Sequence, residues 1–154
     1  MKLLLISYSL GGNNAALAEL LANQLSAKHI SVTEKNKRSS WKIFIDMLFN
    51  RMPKVEPESI AMNDFDQVVL IGPVWMGGAP SPLRPYLKQL KKNGLPYSFV
   101  SISGSGKKHN TNVRKSLYKR TGRNPMAIID KSLGDLFPEG KQPSGKALMN
   151  YHIY

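Results

Sequence analysis

The sequence predicts an α/β fold of three layers, in which helices cover both faces of a doubly wound, five-stranded parallel sheet. The first observation is a series of short, largely apolar segments typical of buried parallel strands, at residues 2–8, 29–33, 65–72, 97–102 and 125–130. The second is that segments with helical features separate most of these strands. Alternating strands and helices favour a parallel sheet joined by right-handed crossovers.

The helices are indicated by their apolar stripes and by their ends. The first begins near Ala15, directly after the first strand and its loop. Another begins at Ser81-Pro82 and ends at Gly94, because proline suits a first helical position and glycine the residue that follows a helix. Residues 110–121 form a basic helix that ends before Gly122.

Residues 41–52 carry apolar side chains at helical spacing, and Pro53 ends the pattern. We expect this apolar face to pack on the sheet. The alternative is peripheral contact with an anionic membrane or a partner, since basic residues flank the start of the segment. Residues 53–65 are expected to form a loop, and a short helix is expected from about Lys146.

Length and composition limit the class of protein. With 154 residues and 42% hydrophobic residues, the chain is expected to be one domain over residues 1–154. It has no cysteine, which excludes disulfides, thiolate nucleophiles and cysteine metal sites. No apolar run reaches a membrane span, so we expect a cytoplasmic protein. No histidine or carboxylate pattern indicates a metal site or catalytic residues.

The charge is strongly basic, with a formal net charge of +12. Eleven Lys and Arg but no Asp or Glu lie between Gln67 and Ile129. Such a field attracts phosphates, anionic lipids, nucleic acid or an acidic partner protein. A solvated basic surface with no specific partner is the alternative. Specific nucleic-acid binding is not predicted, because no aromatic platform is interleaved with the basic residues.

Three loops rich in glycine or small polar residues follow the first, third and fourth predicted strands, at residues 9–14, 73–79 and 103–108. In a doubly wound sheet, ligands bind at the carboxyl ends of the strands. The first loop also precedes a helix N-terminus, whose N–H groups and dipole favour a phosphate. The sequence therefore predicts a phosphate-bearing cofactor at this edge.

Two segments resemble the flavodoxin-like family of FMN proteins. Ser9-Leu10-Gly11-Gly12-Asn13-Asn14 is similar to the family's phosphate signature Ser/Thr-x-Thr-Gly-Asn-Thr. Residues 66–84 resemble the segment YDxVIxGxPVWxGxxAPPLR of bacterial flavodoxin-like proteins and quinone reductases. The resemblance implies strand order 2-1-3-4-5 and FMN as cofactor. Gly11 and Asn14 stand in place of threonines, which predicts FMN binding weaker by about 10–100-fold through the loss of a charged hydrogen bond.

The resemblance also implies which residues contact FMN. The phosphate is expected to lie against the first loop: Ser9, Leu10, Gly11, Gly12, Asn13 and Asn14. The flavin ring is expected to be bordered on one side by the second loop: Pro73, Val74, Trp75, Met76 and Gly77. Its other side is expected to meet the third loop: Ser103, Gly104, Ser105 and Gly106. The alternative is that these loops are ordinary turns and that Trp75 faces the core.

The expected activity is FMN-dependent oxidation and reduction. In one form, electrons would pass to a redox partner protein. In the other, NAD(P)H would be a transient hydride donor for the reduction of a quinone-like acceptor or flavin. Electron transfer through FMN needs no acid–base residue from the protein. The alternative is a flavodoxin-like domain that has lost FMN and acts as a basic docking or regulatory module.

Overall fold

The computed structural model of the chain describes residues 1–35, 39, 43, 45–46, 48–103 and 110–132. In chain order, the strands in these ranges are β1 (Leu3–Ser7), β2 (Lys28–Ser31), β3 (Thr33–Glu34), β4 (Val55–Glu56), β5 (Gln67–Ile71), β6 (Tyr97–Ser103) and β7 (Ile128–Ser132). Five of them form one parallel sheet in the order β2-β1-β5-β6-β7. Counted among themselves, these five strands have the predicted order 2-1-3-4-5.

Three helices are described in full: α1 (Asn13–Leu25), α2 (Arg84–Asn93) and α3 (Asn110–Thr121). Alternate residues of β1 face opposite sides of the sheet, so Leu3 and Leu5 pack with α1 while Leu4 and Ile6 face the α2 and α3 side. Every residue of β1 is buried, as expected for a strand covered on both faces. The three-layer prediction is confirmed.

A second, antiparallel sheet was not foreseen in the sequence. β3 follows β2 after a single residue and pairs with β4, with Thr33 opposite Glu56 and Glu34 opposite Val55. The predicted strand 29–33 is therefore divided between two sheets, and the predicted loop 53–65 contains a strand. Two-residue strands have no periodicity to read, so the pairing depends on contacts between distant segments.

The apolar segment 41–52 does not pack as expected. Ile43 and Ile45 are half-buried, but Leu48, Phe49 and Met52 are 60%, 62% and 54% exposed. Helical backbone gives way to a turn at Phe49 and Asn50, so the helical spacing of the apolar residues does not continue to Met52. The packing prediction is wrong for Leu48, Phe49 and Met52.

Two further predictions concern Trp41 and Phe44 in that segment and the helix expected from about Lys146; all lie outside the described residues. None of the helices in the described ranges is both long and apolar enough to cross a membrane. The expectation of a single domain over residues 1–154 stays a prediction.

Candidate cofactor site

The carboxyl ends of β1, β5 and β6 lie side by side at one edge of the sheet, because these strands are parallel neighbours. After β1 the chain continues into β2 on one side of β1, and it later returns to form β5 on the other side of β1. This is the topological switch point at which doubly wound sheets bind ligands. The first two predicted loops and the start of the third, Ser103, are therefore neighbours. Gly104, Ser105 and Gly106 lie outside the described residues.

The first loop leads into the N-terminus of α1. Gly12 precedes the helix with a φ of 89°, a left-handed conformation that glycine adopts readily, and its carbonyl accepts a hydrogen bond from the Ala16 N–H at 2.9 Å. Among the described residues no side chain caps this end, and the first turn contains no acidic residue. The first N–H groups of a helix have no acceptor within it, so this end favours an anion.

Open space and an unpaired hydroxyl occur together in the first loop. A Cβ placed on Gly11 or on Gly12 would meet no atom of the described residues within 4 Å. The Ser9 hydroxyl is buried and has no hydrogen-bond partner among the described residues. Leu10 is largely exposed. A hydroxyl donor, helix N–H groups and room for close approach fit the phosphate end of FMN.

Asn14 has a structural role that the sequence did not indicate. Its side chain is buried, its Oδ1 accepts a hydrogen bond from the Ile102 N–H at 3.0 Å, and its Nδ2 donates to the Ile102 carbonyl at 3.4 Å. The start of α1 is thereby fixed to the carboxyl end of β6. One amide proton of Asn14 remains for a further contact, and contact of Asn14 with phosphate stays a prediction.

The second loop contains a tight hairpin turn. Trp75 and Gly78 exchange two backbone hydrogen bonds of 2.9 and 3.0 Å, and the residues between them have positive φ, 47° at Met76 and 75° at Gly77. Two such residues are typical of a type I′ turn. Met76 stands at the tip and is 74% exposed.

Trp75 is shared between the loop and the core. Its indole is half-buried and meets the Tyr8 ring edge-on, with ring centroids 5.7 Å apart and an interplanar angle of 86°. Pro73 and Val74 are half-buried beside it. The core-facing interpretation of Trp75 is therefore met in part, while contact of Trp75 with the flavin stays a prediction. Met76 presents more free apolar surface at this edge.

The turn also packs closely on α3. A Cβ on Gly78 would lie 2.6 Å from the Ser116 Oγ, and one on Gly77 would lie 3.1 Å from the Asn112 Cβ. This contact was not predicted from the sequence. Its available signal was a pair of small or short polar residues, Asn112 and Ser116, four positions apart on one helical face.

A further pair of polar groups lies on the last two strands. Ser101 on β6 and Asp130 on β7 are register partners. The Ser101 hydroxyl and both carboxylate oxygens of Asp130 are buried without a hydrogen-bond partner in the described part of the chain. Unpartnered buried polar groups are costly and are candidates for ligand contact. Ser101 and Asp130 are far apart in the sequence and belong to no recognisable motif, so the sequence did not indicate this pair.

A cavity of about 400 Å³ borders the first loop on its β2 side. Its lining residues come from the end of β1, from the β3 region and from the partly described helix: Tyr8, Ser9, Leu10, Val32, Thr33, Glu34 and Ile43. The Tyr8 hydroxyl donates a hydrogen bond of 2.6 Å to Glu34 Oε1. The space next to Ser9 thus extends toward β2 and β3.

No protein-family model and no curated protein matches this sequence. Solved structures do match. A flavoprotein from Lactobacillus acidophilus NCFM, crystallised in complex with FMN, is 18% identical, with a TM-score of 0.72 over 84% of this chain and 93% of that chain. A Bacteroides eggerthii protein, provisionally described as a flavoprotein, is 19% identical, with a TM-score of 0.70 over 86% of this chain and 87% of that chain.

The chain has a flavodoxin-like fold. A flavodoxin, WrbA-like protein from Agrobacterium tumefaciens also shares the flavodoxin-like fold, at 15% identity and a TM-score of 0.52 over 96% of this chain and 88% of that chain. The structural neighbours of the chain are thus flavoproteins, and the predicted fold is confirmed. At these identities the likeness establishes the fold, and the site residues stay predictions.

Proposed function

We propose that this protein binds FMN at the carboxyl edge of β1, β5 and β6 and acts as an FMN-dependent redox protein. The first loop carries this proposal. There, an uncapped helix N-terminus, two glycines with open space and an unpaired Ser9 hydroxyl occur together in a flavodoxin-like fold. The structural neighbour from Lactobacillus acidophilus was crystallised in complex with FMN.

Each loop has a separate part in this proposal. The first loop holds the phosphate through the Ser9 hydroxyl and the N–H groups that follow Gly12. The turn at Met76 and Gly77 borders the ring, and its packing on α3 keeps the turn in place. The third loop, from Ser103 to Gly106, covers the other side. Bound FMN supplies the electron- and hydride-transfer chemistry, and the chain supplies position and surroundings.

Two redox roles follow from the same site. In one, electrons pass to a redox partner protein. In the other, NAD(P)H gives a hydride through FMN to a quinone-like acceptor. Neither role requires an acid–base side chain for the electron transfer itself. Oxidation of NAD(P)H in the presence of a quinone, followed at the nicotinamide absorbance band, separates them.

The test of the cofactor uses absorbance. Purified protein is scanned between about 350 and 500 nm, then mixed with FMN, desalted and scanned again. We expect a flavin band that stays with the protein. Riboflavin, which lacks the phosphate, is the matched ligand, and we expect it to bind more weakly because the first loop recognises phosphate. A protein that stays colourless after FMN addition contradicts the proposal, and equal retention of FMN and riboflavin contradicts the phosphate assignment.

A specific observation supports a second candidate function. Gly11 and Asn14 replace the threonines of the phosphate signature, and the Asn14 amide is hydrogen-bonded to Ile102. A flavodoxin-like domain without FMN would then act as a basic docking or regulatory module. Lack of FMN binding in the desalting experiment favours this second function.

A further inference from the structure

A second concave site lies between α2 and α3, which pack against each other. Its volume is about 750 Å³. We call it the basic groove, and it is lined by Asn50, Met52, Arg84, Lys88, Lys91, Lys115, Ser116, Lys119 and Arg120. Six of these nine described residues are cationic and none is acidic. The groove is thus a concentrated positive site with a defined shape.

The helical repeat explains how the cations come together. Arg84, Lys88 and Lys91 lie four and three residues apart, so they share one face of α2 and follow its axis for about 10 Å. Lys115 and Lys119 form a similar line on α3. The chain between Gln67 and Ile129 contains no Asp or Glu, so neither helix supplies a counter-charge.

Two guanidinium groups in the groove are held by the same neighbouring segment. Arg84 is 7% exposed, and its Nη1 donates to the Arg51 carbonyl at 3.0 Å. The Arg120 Nη2 donates to the Asn50 Oδ1 at 2.8 Å. Burial lowers the pKa of Arg120, since removal from water penalises its positive charge. The hydrogen bonds hold the two guanidinium groups in position before any ligand binds. A bound anion would offset the free-energy cost of removing their positive charges from water.

The dimensions and chemistry of the groove indicate the class of its ligand. Its volume lies within the range of about 300–1,000 Å³ found for small-molecule sites. A single phosphate, with a charge of about −2, would leave most of the six cations unpaired. Its described lining residues include no aromatic side chain on which bases of a nucleic-acid strand could stack. Guanidinium forks suit phosphate oxygens in particular.

We propose that the basic groove binds a small, soluble polyphosphorylated anion with three or more phosphate groups. The ligand lies between the two cationic lines of α2 and α3, with Arg84 and Arg120 as fixed phosphate contacts and the lysines as adaptable ones. None of the described lining residues is among those assigned to FMN, and we expect occupancy of the groove not to depend on FMN, although Ser116 also packs on Gly78 of the second loop.

Calorimetric titration of the full chain with sodium tripolyphosphate tests the groove directly, with and without added FMN at constant ionic strength. The groove variant is Lys88→Gln/Lys119→Gln. Its matched control is Lys2→Gln/Lys54→Gln, which removes the same charge at exposed positions outside the groove. We expect the groove variant to weaken binding at least tenfold and the control less than twofold.

Several results would overturn the proposal. Equal losses in the two variants would mean that the overall field attracts the anion, and no saturable binding to the wild-type chain would mean that there is no site. Displacement of FMN by tripolyphosphate would place the anion in the cofactor loops. The groove would instead bind a lipid surface if the wild-type chain bound phosphatidylserine vesicles, the groove variant did not, and tripolyphosphate failed to displace the vesicles. Should the groove variant fail to fold by circular dichroism, Lys91→Gln/Lys115→Gln replaces it.

Discussion

The first and second loops of the candidate site both contain adjacent glycines, but the surroundings of those glycines differ. At Gly11 and Gly12 an added Cβ would meet no atom within 4 Å in the part of the chain that the structure describes. At Gly77 and Gly78 it would meet Asn112 and Ser116 of α3, at 3.1 and 2.6 Å. Packing on α3 therefore explains Gly78, and Gly77 combines this packing with a positive φ of 75°. The positive φ explains Gly12 as a backbone requirement, but nothing within the described residues explains the open space around the first pair.

This difference separates two reasons for a glycine that look the same in a sequence. A glycine under a packed neighbour keeps two parts of the protein close together. A glycine next to open space permits something from outside to approach the backbone. The first loop is also firmly held, because Asn14 fixes the following helix to Ile102. A held loop that surrounds open space is the arrangement that a phosphate site requires.

The largest effect is expected where the first loop is anchored. Asn14→Ala leaves the buried N–H and carbonyl groups of Ile102 without their side-chain partner. We expect the free energy of unfolding to fall by about 1–3 kcal/mol, the range for an unsatisfied buried group. Urea denaturation measures the change, and the exposed neighbour Asn13→Ala is the control. Equal and small effects in both variants would show that Asn14 does not hold the loop.

The next effect concerns the packed glycine of the second loop. Gly78→Ala places a methyl group against the Ser116 hydroxyl, and we expect a loss of about 1–2 kcal/mol in the free energy of unfolding. Adding Ser116→Ala removes the nearest atom and should recover much of that loss. Urea denaturation of the two single variants and the double variant gives the coupling. If the two changes were simply additive, the contact with Ser116 would not be the cause.

The corresponding change in the first loop should act on the cofactor instead of on stability. Gly11→Ala meets open space, so we expect its free energy of unfolding to change by less than about 0.5 kcal/mol. On the proposed function, Gly11→Thr restores the hydroxyl that the phosphate signature carries at this position, and Gly11→Ala is its matched control without the hydroxyl. We expect Gly11→Thr to raise FMN affinity about tenfold over Gly11→Ala, or by about 1.4 kcal/mol, through the regained charged hydrogen bond. Flavin fluorescence titration measures it. Equal FMN affinity in the two variants, with stability also unchanged, would remove Gly11 from the phosphate site.

The sequence was sufficient for the arrangement of the sheet and for the meeting of the first two loops with Ser103. Continuous apolar runs predict buried parallel strands, and a doubly wound order brings their carboxyl ends to one edge. The fate of individual loop residues was not predictable. Whether Gly11 or Gly78 faces empty space or α3 depends on helix placement, and the Asn14–Ile102 hydrogen bonds join residues 88 positions apart.

The basic groove and the segment 41–52 show the same limit. The excess of Lys and Arg after residue 67 is evident in the sequence, but its concentration into one groove requires α2 and α3 to lie side by side. The apolar spacing of 41–52 predicts a buried face, yet the turn at Asn50 leaves Phe49 and Met52 exposed. Periodicity describes one helix at a time and cannot show where a helix stops contributing to the core.

The smallest effect is expected at Met76, where the second loop has a cost of its own. A methionine at a φ of 47° occupies the left-handed region, which costs a non-glycine residue about 1 kcal/mol. Asparagine adopts this conformation more readily and suits a type I′ turn. We therefore expect Met76→Asn to raise the free energy of unfolding by up to about 1 kcal/mol. Met126→Asn is the control, because Met126 is also exposed but has no positive φ. If Met76 borders the flavin, Met76→Asn should also weaken FMN binding. Greater stability together with weaker FMN binding would mean that the strained methionine serves the ligand. Greater stability with unchanged FMN binding would mean that packing on α3 alone shapes the turn.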